Sequence, residues 1–137
     1  MIVLDTNVVS EAMSTSPNRA VAHWISSQSG AILFTTTVSA AEILYGIELL
    51  PAGKRRSALL ASAEAVFARL FIARALAFDE PAARVFPSIA RRLRGRPITL
   101  FDAQIAAIVR VHDATLATRN ISDFEGCGIR VVNPWVD

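Results

Sequence analysis

The chain has 137 residues, with 14 lysine or arginine residues against 12 aspartate or glutamate residues, so its formal net charge is +2. This length fits one domain, residues 1–137, and the apolar fraction of 53% excludes a disordered chain. Cys127 is the only cysteine, which excludes an intrachain disulfide and a cysteine-based zinc site.

Apolar periodicity and turn residues predict short strands that alternate with helices along the chain. Strands are predicted at residues 2–4, 31–36, 75–78, 115–118 and 130–132. Helices are predicted at residues 7–14, 18–28, 39–50, 54–73, 80–94 and 99–112. Pro87 predicts a kink or break in the fifth helix, because proline cannot donate the helical hydrogen bond. The alternation favours an α/β fold with a mainly parallel sheet.

No segment is typical of a secreted or membrane protein. The first five residues lack the basic and long apolar stretches of a signal peptide. The most apolar long window, residues 58–78, contains Glu64, Arg69 and Arg74, which indicates a buried amphipathic helix rather than a membrane span. We therefore expect a cytoplasmic protein that does not contact a membrane.

Acidic and amide side chains fall near predicted strand ends and helix starts, at Asp5, Glu42, Asp102, Asn120 and Asp123. Ligands of a parallel α/β sheet bind beyond the carboxyl ends of its strands, so these side chains could meet in one cleft. Each also has an ordinary structural interpretation as a helix cap, a capping-box member or a turn residue. The capping-box spacings are Ser39 to Glu42 and Thr99 to Asp102.

Asp102 is the acid that a structural role explains least well. It shares a helix face with Ile105, Ala106 and Val109, which should pack on the sheet, and a carboxylate there is costly unless it is paired or bound to a metal. Converging carboxylates repel one another, and a divalent cation relieves that repulsion. An oxygen ligand set favours Mg²⁺ or Mn²⁺ over Zn²⁺ and suits phosphate chemistry.

Four motifs, in this order and spacing, resemble the PIN-domain ribonuclease family and, within it, the VapC-type toxins of bacterial toxin–antitoxin pairs. They are Met1-Ile2-Val3-Leu4-Asp5-Thr6-Asn7, Ser39-Ala40-Ala41-Glu42-Ile43 with Gly46, Phe101-Asp102-Ala103-Gln104-Ile105-Ala106-Ala107, and Ala117-Thr118-Arg119-Asn120 with Asp123-Phe124 and then Val132-Asn133-Pro134-Trp135. The resemblance extends from residue 1 to residue 135.

The resemblance implies an α/β/α sandwich around a parallel sheet and Mg²⁺- or Mn²⁺-dependent endonucleolytic cleavage of RNA, commonly leaving a 5′-phosphate. It also implies a homodimer and a small antitoxin that blocks the cleft, forms a higher assembly with the toxin and tethers the pair to operator DNA. Asp5, Glu42 and Asp102 carry over as catalytic metal-site acids, and Thr6 as a hydroxyl beside the first acid that contacts substrate. The fourth position stays open between Asp123, which supplies a charge, and Asn120, which offers only an amide oxygen or a water-mediated contact.

Arginines are the candidates for contacting the RNA backbone. Arg91, Arg92, Arg94 and Arg96 form a run without acids just before the Asp102 helix, and they form either a solvated face or a phosphate track. Arg119 follows a predicted strand, where it either contacts phosphate or pairs with a neighbouring acid.

Three other functions compete with a nuclease. A phospho-receiver domain needs a pair of acids after its first strand and a lysine near its last strands, whereas only Asp5 and Lys54 are present. A haloacid-dehalogenase-like phosphatase needs an aspartate at the position of Asn7. A catalytically inactive PIN-like domain that binds RNA or protein stays open because of Asn120.

Overall fold

The structure, a computed structural model, describes residues 1–29, 32–70, 74–96 and 98–137. The strands are β1 (Ile2–Leu4), β2 (Leu33–Thr36), β3 (Ala75–Leu76), β4 (Thr115–Ala117) and β5 (Arg130–Val132). The helices are α1 (Thr6–Met13), α2 (Arg19–Ser27), α3 (Thr37–Glu48), α4 (Lys54–Leu70), α5 (Glu80–Arg92) and α6 (Leu100–Val111). The predicted strand start at Ala31 and the predicted helix end at residues 71–73 lie outside the described residues.

The five strands form one sheet in the order β3-β2-β1-β4-β5, and every pairing is parallel. The predicted α/β fold with a parallel sheet is therefore confirmed. In the register between β1 and β4, Leu4 lies opposite Ala117. The residues that follow these two strands, Asp5 after β1 and Thr118 after β4, therefore lie side by side at the carboxyl edge of the sheet.

Helices cover both faces of the sheet. Successive side chains of a strand point to opposite faces, so Val3 and Leu116 pack with α5 and α6, whereas Leu4 and Ala117 pack with α1 to α4. Fully burying a side chain such as Leu4 contributes about 1.5–3 kcal/mol. No helix in the described part of the chain is long and apolar enough to cross a membrane.

Three local predictions were wrong. Helix α3 begins at Thr37 rather than Ser39, because the Thr36 hydroxyl caps it by accepting the Ser39 backbone N–H over 3.0 Å. Strand β3 ends at Leu76, before the predicted residue 78. Helix α5 runs through Pro87 without a break, since Pro87 and Ala83 both lie on its exposed face, where water can bond the carbonyl that proline leaves free.

Candidate metal and nuclease site

Asp5 is buried at the junction of β1 and α1. The strand ends at Leu4, and Asp5 has extended backbone angles and caps the helix, with its Oδ1 accepting the Thr6 backbone N–H over 2.8 Å. Its side chain is only 3% exposed. The predicted capping role of Asp5 is confirmed, and the same position places its carboxylate at the carboxyl edge of the sheet.

Thr118 is the main partner of the Asp5 carboxylate. Its hydroxyl donates to Oδ2 of Asp5 over 2.7 Å and accepts from the side-chain amide of Asn7 and the backbone N–H of Asn120, at 3.3 and 3.1 Å. Since two N–H groups already point at the hydroxyl oxygen, its single proton is directed at Asp5. Neither Thr118 nor Asn7 was predicted as a site residue, although the parallel register of β1 and β4 is a signal that places Thr118 beside Asp5.

Glu42 lies in the second turn of α3, facing the first turn of α1. The Thr6 hydroxyl donates to Oε1 of Glu42 over 3.0 Å, and this bond links α1 to α3 through two residues that are 36 positions apart in sequence. Glu42 is half-buried, and the predicted capping box from Ser39 to Glu42 does not form because Thr36, not Ser39, is the cap of the helix. The structure thus places Thr6 and Glu42, two residues predicted for the site, in direct contact.

Asp102 lies in the first turn of α6, where the predicted capping box does form. Its backbone N–H donates to the Thr99 hydroxyl over 3.1 Å, and its Oδ2 accepts the Thr99 backbone N–H over 3.4 Å. Its charge also acts on both Asp5 and Glu42, and the charge of Asp123 acts on Asp5. The structure therefore brings the four predicted acids into one electrostatically coupled group.

The coupling changes the acidity of the two more buried members. Burial raises the pKa of Asp5 to about 6. The hydrogen bonds from Thr118 and Thr6 oppose this rise, and the charges of Asp102 and Asp123 add to it. Burial also raises the pKa of Glu42, because the hydrogen bond from Thr6 only partly opposes it and the charges of Asp102 and Asp5 add to it. The protein therefore holds negative charge at this edge at a cost in free energy.

The acids of this group have no basic partner in the part of the chain that the structure describes. Within the described ranges, no lysine or arginine forms an ion pair with Asp5, Glu42, Asp102 or Asp123. Among the same residues, no three side chains are arranged to hold a metal ion. The carboxylate of Glu42 is bonded to Thr6 and that of Asp102 to the backbone of its own helix cap, so neither is free to converge on Asp5 in this arrangement. An unpaired set of carboxylate oxygens is the donor chemistry that suits Mg²⁺ or Mn²⁺.

The segment after β4 carries the remaining predicted residues. Asn120 is exposed and precedes a 3₁₀ helix, Ile121–Phe124, that the sequence analysis did not predict and that contains Asp123. Arg119 forms no ion pair with an acid in the described part of the chain, so that predicted alternative is wrong. Its guanidinium lies 5.1 Å from the ring centroid of Trp135. Its charge remains exposed next to Asn120.

The arginine run lies beside the site without contacting its acids. Arg91, Arg92 and Arg94 are all exposed, and Arg92 also donates to the carbonyl oxygen of Gly126 over 3.4 Å. Arg96 donates to the carbonyl oxygen of Glu125 over 2.8 Å. The run is therefore partly solvated and partly attached to the chain that follows Asp123.

The family model described as PIN domain matches residues 2–125, a range that contains all four acids. The chain belongs to the PIN-domain family. It is 37% identical over 137 residues to the VapC ribonuclease Y4jK of Sinorhizobium fredii, covering 98% of both proteins. It is 36% identical over 139 residues to toxin FitB of Neisseria gonorrhoeae, covering 100% of both.

A PIN-domain assignment also agrees with the three-dimensional comparison. A chain in the structure of FitAB bound to an IR36 DNA fragment matches with a TM-score of 0.86 and 36% sequence identity, over 98% of this chain and 96% of that one. The resemblance inferred from the four sequence motifs is thus confirmed, together with the α/β/α sandwich that it implied.

Proposed function

We propose that this PIN-domain protein is a Mg²⁺- or Mn²⁺-dependent endoribonuclease and the toxin of a toxin–antitoxin pair. The observation that carries the proposal is the group of four acids, drawn from separate parts of the chain, around a buried Asp5 that has no cationic partner among the described residues. The names of the relatives, a VapC ribonuclease and a toxin, support the same activity.

Asp5, Glu42 and Asp102 would hold the ion. Asp123 is a better fourth ligand than Asn120, because its carboxylate already acts electrostatically on Asp5 whereas Asn120 carries no charge. A divalent cation bound there would neutralise the phosphodiester, acidify a water molecule and stabilise the leaving 3′-oxygen, giving a 5′-phosphate product.

The neighbouring hydroxyls orient the acids. Thr118 directs its proton at Oδ2 of Asp5, which favours the ionised carboxylate, and Thr6 fixes Oε1 of Glu42. Asn7 in turn accepts the backbone N–H of Arg119 over 3.2 Å and so ties the segment after β4 to α1. Arg119, with its guanidinium over Trp135, is then placed to contact a phosphate of the RNA.

The partners follow from the same family assignment. FitAB is a complex solved with DNA, and this chain matches one chain of that structure over almost the whole length of both chains. We infer that the protein, a single domain over residues 1–137, forms a homodimer in the cytoplasm and binds a small antitoxin that blocks the acidic cleft. Contact with DNA would be made through the antitoxin.

The test is cleavage of labelled total bacterial RNA by antitoxin-free protein, in Mg²⁺ or Mn²⁺ and in a chelator. Discrete fragments with 5′-phosphate ends should form with metal only. Asp5→Asn and Asp102→Asn should abolish them, whereas Asp113→Asn, which changes an exposed carboxylate outside the site, should not. Cleavage that survives both site variants, or the chelator, would overturn the assignment.

A further inference from the structure

A cleft of about 610 Å³ lies between the C-terminal ends of α5 and α6 and the segment that leads into β5. It is lined by Ser88, Arg92, Arg110, Gly126, Gly128 and Ile129. None of these lining residues is acidic, and two are arginines. The cleft is therefore an electropositive concavity outside the group of four acids.

Two arginines are attached to the backbone along this segment. Arg96 donates to the carbonyl oxygen of Glu125 over 2.8 Å, and Arg92 donates to the carbonyl oxygen of Gly126 over 3.4 Å. One bond of this kind leaves the other N–H groups of each guanidinium available to an anion. The bonds thus hold the charges in place along the segment.

Arg110 supplies an unpaired charge. In the part of the chain that the structure describes, its side chain forms no ion pair and no hydrogen bond. The Arg110 guanidinium lies beside Gly128, since a Cβ atom placed on that glycine would be in ordinary van der Waals contact with Cζ at 3.6 Å, and the φ of +71° is what favours glycine there. Arg130, at the start of β5, is by contrast paired with Asp113 at 3.2 Å.

The chain connects this cleft to the acids directly. Asp123 precedes Gly126 by three residues and Gly128 by five, so the Cα atoms are at most about 11 and 18 Å apart. At about 3.4 Å per nucleotide along a stacked strand, those limits correspond to roughly three to five nucleotides. A strand held at the acids can therefore reach the arginines.

We propose that this cleft binds backbone phosphates of the RNA strand a few nucleotides from the cleaved bond, with Arg92 and Arg110 in the cleft and Arg96 beside it as the contacting residues. The inference rests on the proposed nuclease function. It adds Arg110 to the expected phosphate contacts and distinguishes Arg92 and Arg96, which are bonded to backbone carbonyl oxygens, from Arg91 and Arg94.

The experiment measures the salt dependence of RNA binding. An Asp5→Asn protein is titrated in Mg²⁺ into a labelled single-stranded RNA long enough to span both sites, at salt concentrations from about 50 to 200 mM. Each phosphate contact on a single strand contributes about 0.7 to the slope of log K against log salt. Adding Arg92→Gln and Arg110→Gln together should therefore reduce the slope by about 1.4.

Matched variants separate charge from folding. Arg110→Gln removes no hydrogen bond of the described structure and should reduce the slope by about 0.7, whereas Arg110→Lys keeps the charge and should keep the slope. Arg55→Gln, which removes an exposed arginine on α4, should change nothing. RNA too short to extend beyond the acids should not respond to the Arg110 change.

An unchanged slope in the folded double variant would overturn the proposal, even if the wild-type protein cuts RNA. If polyglutamate competes with the RNA for the wild-type protein but not for the double variant, the cleft binds an acidic protein segment instead, and the proposal is overturned. Failure of the nuclease function would appear separately, as absence of metal-dependent cleavage by the wild-type protein.

Discussion

The Thr118 hydroxyl donates to Oδ2 of Asp5 over 2.7 Å, joining two residues that are 113 positions apart in sequence. The contact exists because β4 pairs with β1 in parallel and in a register that places the residue after each strand at the same edge. It opposes the effect of burial on the Asp5 carboxylate. Thr118 therefore acts on the chemistry of the site through Asp5 and is a positioning residue.

Thr118→Val should move the acidic limb of the cleavage pH profile to higher pH. Loss of a hydrogen bond to a charged group, worth about 1.5–3 kcal/mol, raises the pKa of Asp5 by about one to two further units above its present value of about 6. Thr118→Ser keeps the donor and should keep the profile. The measurement is the pH of half-maximal cleavage, and equal values for the valine and serine variants would contradict the role of Thr118.

Asp5→Asn should stabilise the metal-free protein at neutral pH. Because the folded-state pKa of Asp5 is raised, the folded state binds more protons than the unfolded state between about pH 4 and 6, and the free energy of unfolding falls as pH rises through that window. A shift of about two units corresponds to roughly 3 kcal/mol above pH 6 and to almost nothing near pH 4. Denaturant unfolding in a chelator, with Glu64→Gln on the exposed face of α4 as the control, measures the difference; a gain that is the same at both pH values would argue against this explanation.

Thr6→Val should weaken metal binding without removing a ligand. The valine removes the donor to Oε1 of Glu42, so the carboxylate loses its orientation and its pKa rises further. Partners of this kind typically change metal affinity by about 10–100-fold. Calorimetric titration with Mn²⁺ measures the change, with Thr6→Ser expected to retain affinity and Thr37→Val, on the exposed start of α3, expected to have no effect.

Asp123→Asn should reduce Mn²⁺ affinity more than Asn120→Ala does. Removing the charge of Asp123 also removes a cause of the raised pKa of Asp5, so the acidic limb of the pH profile should move to lower pH, opposite to the effect of Thr118→Val. Asn120→Ala should leave that limb in place. A larger loss of affinity in the Asn120 variant would assign the fourth position to Asn120 instead.

Local chemistry explains which helices and strands were predictable. The capping box of Thr99 and Asp102 and the cap at Asp5 depend on residues close in sequence, so their spacing alone indicates them. The start of α3 was misplaced because both Thr36 and Ser39 are suitable caps, and the choice depends on where β2 ends in the sheet. Pro87 is tolerated because of the exposed position that packing gives it.

The alternation of strands and helices, the acids at the strand ends and the family resemblance could all be inferred from residue types and their spacing. Which residues touch those acids, and how strongly the acids act on one another, depends on how the chain packs in three dimensions. The hydroxyls of Thr118 and Thr6 reach Asp5 and Glu42 through a parallel strand register and a helix contact, and burial, which raises the pKa of Asp5 to about 6, results from packing across the whole chain. These are properties of distance and solvent exclusion, which a linear pattern of residues does not contain.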